Sequence, residues 1–531
     1  MTSEDLFVAF DLSTQSLKCT VVNSNLQIIL EESVNFDKDL PEFNTKHGAH
    51  HRNDRTTSPT LMWVKALDML LERLQKDDFK FENVKSISGA AQQHGSVYWK
   101  EGASTTLSSL DSSSLLSTQL ANAFSIADSP IWQDTSTTQQ CRDLEAAVGG
   151  PERLADITGS RAFERFTASQ IMKLSQRGAL KDTERISLVS SFLASLFLGS
   201  YAPIESGDAS GMNLMRLETR EWDPNLLSIC GNAKELELKL GMIAKDATKP
   251  IGIVSKYMQK RYGFVEECLV FPFTGDNPAT VLAMGLKSRD LVVSLGTSDT
   301  LLAVVERNRT NAHPEAHLLS HPLDHNLIVA MVCFKNGSLA REYVRDKYAQ
   351  KNWDRFNDLV MSTPPGCGDS HEKKTRNGFY YFMPEIVPFA RGVHRFEDGL
   401  RVIEFTDRDC NPRAVLEAQF LSMRVRIRRL FQNSAERVIV VGGASANTVI
   451  LQVLADVLQL KVYRHRGQNS ASAGAARLAR DGYISTKIKP IEETDEELIL
   501  AAEPNTALAE LYQEMEAQFV LLESTVVSAS G

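Results

Sequence analysis

A carboxylate closing an apolar run, followed at once by hydroxyls and a lysine, can hold phosphate oxygens and a hard cation. Residues 6–23 read LFVAFDLSTQSLKCTVVN: Asp11 ends the run, Ser13, Thr14 and Gln15 form a tight polar turn, and Lys18 opens the return. Short β-branched or aromatic runs around a polar turn predict a β-hairpin. Read alone, the stretch fits an ordinary edge hairpin slightly better than a phosphate site. A second copy shifts that balance. Residues 291–306, LVVSLGTSDTLLAVVE, set Gly296, Thr297 and Ser298 between two apolar runs in the same way. Two such turns, roughly half a chain apart, point to two related domains facing one phosphate chain.

Other polar residues stand at the ends of apolar runs. In residues 270–279, VFPFTGDNPA, Gly275 permits a sharp turn and Asp276 projects at the top of a strand, ahead of a helical segment. That is a place for a catalytic carboxylate, and also for a helix N-cap, because Asp, Asn and Pro suit a helix start. Residues 84–95, VKSISGAAQQHG, run a strand into Gln92, Gln93 and His94. The carboxyl end of a strand in an α/β sheet is where ligands bind; a hydrogen-bonded loop histidine is the alternative. Arg165, within GSRAFERFT, could hold a ligand oxygen or pair with Glu164 or another surface acid. After the strand VIVV, Gly442, Gly443 and Ala444 let backbone approach a ligand without a Cβ clash, with Asn447 closing the loop. The GxGxxG spacing of a dinucleotide fold is missing, as are GxxxxGK[ST] and the protein-kinase signature set. Trp353 and Phe356 could flank an aromatic ring, although packing is the commoner use of such residues.

The elements that must position these groups alternate strand and helix. A third strand is predicted over 27–36, and a helix over 58–71 with Pro59 in its first turn. Residues 37–57 read as a polar loop whose His47, His50 and His51 are solvated, not metal-bound. Residues 104–118 are serine-rich and read as a surface insertion with little chemistry. Residues 206–214 read as a glycine-bearing loop. Residues 413–431 carry a helical stripe, with Arg424, Arg426, Arg428 and Arg429 largely off it as a solvated face. The end of the chain reads as one more amphipathic helix.

Composition bounds the function classes. The chain has 531 residues, 43% of them hydrophobic, and a net charge of −9 with a pI near 5.8. The acidic balance argues against nucleic-acid binding, which rests on basic surface. The seven scattered cysteines form no CxxC pair and point to a reducing compartment. The start, MTSEDLF, lacks a signal-peptide core, and residues 188–198 are too short and serine-broken to span a bilayer. A cytoplasmic protein handling a small molecule is expected, with no nucleic-acid or membrane partner, as a monomer or homodimer.

Five motifs in order, DLSTQSLK at 11–18, QQHG at 92–95, TGDN at 274–277, SLGTSD at 294–299 and GGASAN at 442–447, resemble those of the FGGY family of carbohydrate kinases, in the actin–hexokinase–chaperone ATPase superfamily. Each motif alone is weak; the ordered set is specific and spans about residues 6–482. The resemblance implies an α/β protein of two actin-like, ribonuclease-H-like domains. These would be a sugar-binding domain at 1–285 and a nucleotide-binding domain at 286–485, followed by a helical tail at 486–531, with ATP and sugar in a cleft that closes on the sugar. QHG at 93–95, ERFT at 164–167 and DASGMN at 208–213 narrow the implied substrate to the ketose D-xylulose, phosphorylated at O5. Asp276 would be the general base, and Asp11 would hold Mg²⁺. Ser13, Thr14, Gln15 and Lys18 would face the phosphates from one side, and Gly296, Thr297 and Ser298 from the other. Gly442, Gly443, Ala444 and Asn447 would line the adenosine, with Trp353 on the adenine side. His94, Arg165, Asp276 and Asn277 would bind the sugar hydroxyls. A kinase for another ketose or polyol, or a nucleotide switch without sugar chemistry, are the alternatives.

Overall fold

Alternation along the first strand sends Phe7 and Ala9 to one face and Val8, Phe10 and Leu12 to the other, and both sets are buried. A strand buried on two faces needs a layer on each side. The computed structural model, which describes residues 5–309, 312–368, 375–431, 435–465, 470–487 and 498–529, supplies both. Val8, Phe10 and Leu12 meet Trp63, Leu67 and Leu71 of the helix Thr60–Lys76. Phe7 and Ala9 meet Ala475, Ala476 and Ala479 of the helix Ala471–Thr486.

The described residues form two compact units. The first comprises those of 1–285, 318–326 and 468–495; the second those of 286–317, 327–467 and 496–531. In the first, β1 (Leu6–Leu12), β2 (Ser16–Val22) and β3 (Ile28–Asn35) form an antiparallel meander. β4 (Val84–Ala91) then pairs parallel with β1, and β5 (Leu269–Val270) pairs parallel with β4. The order is therefore β3-β2-β1-β4-β5. The second unit repeats it with β6 (Asp290–Leu295), β7 (Asp299–Glu306), β8 (Leu327–Phe334), β9 (Arg437–Val441) and β10 (Lys461–His465), in the order β8-β7-β6-β9-β10. Both predicted hairpins are thus the β1–β2 and β6–β7 pairs of equivalent sheets, as an actin-like, ribonuclease-H-like architecture requires.

Membership of the units departs from a linear division. The helix Ala471–Thr486, which the expected boundaries assign to the nucleotide domain, belongs to the first unit. Its small residues explain why: a Cβ at Gly474 would sit 2.7 Å from the carbonyl carbon of Ala279, so the helix Asp276–Ala283 approaches at backbone distance. The end of the chain is more than a helix. Leu498–Ala502 is a strand beside β10, and the helix Ala509–Ser528 follows within the second unit. Residues 488–497 and 530–531 of the expected tail, and residues 1–4 of the start, lie outside the described residues.

Other local expectations are corrected. Pro59 closes the short strand Arg55–Pro59 and caps the next helix from outside it. Residues 104–118 are not a mere surface insertion. Leu107 and Leu116 are buried, and the buried Asp68 carboxylate accepts the N–H groups of Leu116 and Ser117 at 3.0 and 2.8 Å. Arg424 and Arg426 are not a solvated face. Arg424 Nε donates to Glu516 at 2.6 Å and Arg426 Nη1 to Glu523 at 2.7 Å, both acids lying on Ala509–Ser528. Long-range pairing, invisible to helical periodicity, lets these guanidinium groups stay buried.

Candidate functional site

The first unit gathers Asp11, His94, Arg165, Asp276 and Asn277 from four separate segments, and strand geometry explains the meeting. β1 and β4 are parallel, with Asp11 opposite Ala90, so Asp11 and the Gln92–Gln93–His94 stretch leave the sheet at the same end. The short strand Thr274–Gly275 pairs with Ala90 and Ala91, which brings Asp276 to that end too.

Asp276 is the first residue of the helix Asp276–Ala283, and Gly275, not Asp276, is its N-cap. The N-cap alternative is therefore corrected: Asp276 Oδ1 accepts from the Asn277 N–H at 2.9 Å and from Asn277 Nδ2 at 3.1 Å. Burial pushes this carboxyl up to about 6, against hydrogen bonds from the Asn277 and Gln93 backbone that favour its ionised form. A carboxylate fixed at its base and poised near neutrality suits proton abstraction.

His94 adopts φ +70°, in the left-handed region. Its Nδ1 lies 2.9 Å from Gly211 O, an acceptor only, so Nδ1 carries the proton and Nε2 keeps its lone pair. Burial, with Arg165 nearby, lowers its pKa to about 3, so the ring stays neutral. It stacks on Phe166, centroids 4.4 Å apart, and the Arg165 guanidinium lies 4.5 Å from the Phe163 ring centroid. Together these residues offer acceptors on His94, Asn277 and Asp276 beside donors on Arg165, a set matched to a polyhydroxylated ligand.

The β1–β2 turn is braced from its own unit. Ser13 N–H and Oγ both donate to Ser16 O at 3.0 Å, and Thr14 Oγ1 accepts from Trp132 Nε1 at 2.9 Å. Gln15 is exposed, and its carbonyl accepts from the Phe36 N–H at 3.0 Å. Gly48, at φ +76°, lies so close under the turn that a Cβ would sit 2.9 Å from the carbonyl carbon of Thr14. Lys18 pairs with Glu31 on β3.

Asp11 tests the expected cation site. Its Oδ1 is buried without a hydrogen-bond partner, and burial, then the charge of Asp276, push its carboxyl up to about 7 against the opposing pull of Lys18. A bound cation would satisfy the orphaned oxygen and favour ionisation. Among the described residues no three His, Cys, Asp or Glu side chains cluster to cage a metal. A hard cation held by this one carboxylate would fit, and Asp11 is the residue that would hold it.

In the second unit, Gly296, Thr297 and Ser298 form the β6–β7 turn, with Thr297 and Ser298 exposed. Gly296 O accepts from the Ser338 N–H at 2.8 Å, and the next residue, Asp299, is clasped by both terminal nitrogens of the buried Arg341 at 2.6 and 2.9 Å. Gly442 sits at φ +88°, where a Cβ would stand 2.7 Å from Leu295 O, so only glycine fits there. Gly443 and Ala444 lie in the tight turn Gly443–Ala446. Asn447 spends its side chain structurally: Oδ1 caps the helix Thr448–Leu458, and Nδ2 donates to Asn357 at 2.9 Å. Trp353 packs edge-on to Phe356, with Arg345 4.8 Å from its ring centroid.

The expected site residues thus fall into two groups, one per unit. Sequence reasoning passed over Glu205, Asp208 and Arg341 as site-builders, because each acts through partners that only the fold brings near. Within the expected loop at 206–214, Ser206–Ala209 is a short helix and Ser210–Met212 a 3₁₀ turn. Glu205 caps the helix, accepting from Gly207 and Asp208 N–H while Thr274 Oγ1 donates to Glu205 at 2.5 Å.

Comparisons with known proteins agree with this architecture. Residues 6–283 match the N-terminal domain, and 291–480 the C-terminal domain, of the FGGY family of carbohydrate kinases. The chain is 43% identical to a xylulose kinase of Rattus norvegicus, over 98% of this chain and 97% of that one. It is 44% identical to xylulose kinase 2 of Arabidopsis thaliana, over 91% and 88%. Among solved structures, a xyloylose kinase from Brucella ovis superposes with a TM-score of 0.78 at 19% identity, covering 99% of this chain and all of that one. A Plasmodium falciparum glycerol kinase gives 0.73 at 14% identity, with 98% of each chain covered. These two structures share the fold. The chain belongs to the FGGY family of carbohydrate kinases.

Proposed function

We propose that the chain transfers the γ-phosphoryl group of ATP to O5 of D-xylulose, giving D-xylulose 5-phosphate and ADP, with Asp276 as general base. The observation that carries the reading is the Asp276 carboxylate, held through one oxygen by Asn277 at the sheet end where His94 also stands. The shared name of the relatives supports the choice of ketose.

Asp276 Oδ1 is held by Asn277, so Oδ2 is the oxygen assigned to the substrate. It accepts the O5 proton as O5 attacks the γ-phosphorus. The new bond is O5–P, the broken one joins the γ-phosphorus to the bridging oxygen, and ADP leaves. His94 Nε2 and Asn277 Oδ1 accept from other sugar hydroxyls, and Arg165 donates. Orientation and charge neutralisation supply most of the acceleration in phosphoryl transfer. Ser13, Thr14, Gln15 and Lys18 from the first unit, and Gly296, Thr297 and Ser298 from the second, are assigned to the phosphates. Gly442, Gly443 and Ala444 are assigned to the adenosine through their backbone. Asn447 joins them through backbone as well, since its side chain is engaged as a cap. Trp353 is assigned to the adenine side. Mg²⁺ bound at Asp11 would neutralise phosphate oxygens. The seven scattered cysteines fit a reducing, cytoplasmic setting, and among the described residues no helix is long and apolar enough to cross a membrane.

The test is ADP release with Mg·ATP and D-xylulose, L-xylulose, D-ribulose, L-ribulose, glycerol or no sugar. Turnover on D-xylulose at least tenfold above every other acceptor is expected. A different preferred sugar would discard the substrate while keeping the mechanism. Equal turnover without sugar would favour a nucleotide switch.

A further inference from the structure

Behind Asp276 and Asn277 lies a chain of polar groups to which the mechanism above gives no task. Asp208, on the helix Ser206–Ala209, is 2% exposed. Its Oδ2 accepts from Ser190 Oγ at 2.6 Å and its Oδ1 from Gln93 Nε2 at 3.4 Å. Gln93 Oε1 in turn accepts from Asn277 Nδ2 at 2.9 Å. The other hydrogen of that amide goes to Asp276 Oδ1 at 3.1 Å. Gly275 makes room for this chain, since a Cβ there would lie 2.7 Å from Gln93 Nε2 and 2.8 Å from Asp208 Oδ1.

An amide side chain can be set in either of two orientations, and its partners decide which. An ionised Asp208 is acceptor-only, so it selects the Nε2 end of Gln93. Burial first, with Glu205 and Asp276 adding to it, pushes the Asp208 carboxyl up to about 7. The protonated form makes the same selection, because its proton can go to Ser190 Oγ while Oδ1 still accepts. In either state Gln93 turns Oε1 toward Asn277. Asn277 must then present Nδ2, both of whose hydrogens are spent, and its Oδ1 is the end left for ligand.

We propose that Asp208 is a positioning residue that sets the polarity of the sugar site: acting through Gln93, it makes Asn277 present a hydrogen-bond acceptor, so that the position reads a hydroxyl of the ketose as a donor. The inference rests on the ketose-kinase reading. Reversing the amide would set an N–H donor against the hydroxyl hydrogen and leave Gln93 and Asn277 mismatched in a buried setting.

The test compares Asp208→Asn, Asp208→Leu and Gln93→Met in the full chain, with circular dichroism as a folding check and KM for D-xylulose and for ATP measured separately. Asp208→Asn keeps an oxygen for Gln93 and an amide for Ser190, and its ketose KM is expected within threefold of the unmodified chain. Asp208→Leu and Gln93→Met are each expected to raise ketose KM tenfold or more while ATP KM stays within twofold. Adding Asp208→Leu to Gln93→Met should add less than twofold, since the connection is already cut. An Asn variant as impaired as the Leu variant overturns the inference, as does additivity of the two substitutions. Should Asp208→Leu not fold, a Gln93→Met ketose KM within threefold of the unmodified chain overturns it alone. Absence of ketose-dependent ADP release by the unmodified chain instead falls on the kinase reading, and removes the inference with it.

Discussion

Asp276→Asn is expected to lower kcat on D-xylulose about 10³-fold while ATP KM changes less than about threefold, in line with the 10²–10⁴ that a positioned general base contributes. The substitution keeps an oxygen to accept from the Asn277 N–H and Nδ2, so the turn should hold its shape. It replaces the other oxygen by an NH₂ group, which cannot take the O5 proton. Stability should not fall. The Asp276 carboxyl is raised in the folded state, from 3.8 to about 6. The folded protein therefore holds this proton more tightly than the unfolded chain, and its stabilising contribution is full below about pH 4 and lost as pH rises through 6. The neutral asparagine has no such loss, so at pH 7.5 the variant should melt no lower than the unmodified chain. The same base predicts that kcat/KM of the unmodified enzyme falls about tenfold per pH unit below about 6. Retained turnover in the variant would remove Asp276 as the base.

Arg341→Met is expected to lower the melting temperature by about 6 °C or more and to raise ATP KM, with ketose KM much less affected. Arg341 is fully buried and clasps the buried Asp299, while Nη1 also donates to Gln419 at 2.9 Å. Burial raises the Asp299 carboxyl, and the Arg341 charge opposes that rise. Removing the cation strands a buried carboxylate, which costs about 3–5 kcal/mol. In a unit of this size each kcal/mol moves the midpoint by about 2–4 °C. The ATP effect follows from position: Asp299 is the first residue after the Gly296–Thr297–Ser298 turn, and Ser338, at the start of the helix carrying Arg341, holds Gly296 O. The double substitution Asp299→Asn with Arg341→Met should recover much of the stability, because no uncompensated charge then remains. Thermal melts of the two variants check this. A single variant melting within 2 °C of the unmodified chain would show that the pair does not hold the turn.

What the sequence made legible is what local patterning encodes. The hairpin pairs around Ser13–Gln15 and Gly296–Ser298 were readable because apolar runs flank polar turns, and their repetition carried the two-domain architecture. Asp276 was readable as a candidate because Gly275 and Pro278 frame it. The cap alternative fell when Gly275 proved to be the N-cap, which leaves the carboxylate available for the proposed base role. Partners distant in sequence were not legible. Arg424 and Arg426 looked solvated because their acids, Glu516 and Glu523, lie about ninety residues further on. The small residues of the helix Ala471–Thr486 specify close approach without naming what approaches. Asp208 lay in view within DASGMN, yet its contact with Gln93 crosses 115 positions.

The central claim, phosphoryl transfer to O5 of D-xylulose on the Asp276 carboxylate, is tested most directly by the product itself. The unmodified chain and Asp276→Asn would be incubated with Mg·ATP and D-xylulose labelled with ¹³C at C5, and the ¹³C spectrum examined for coupling to ³¹P. Splitting of the C5 resonance with the unmodified chain, and none over the same period with the variant, is the predicted result. ADP formed without that splitting, or splitting of equal size from both proteins, would contradict it.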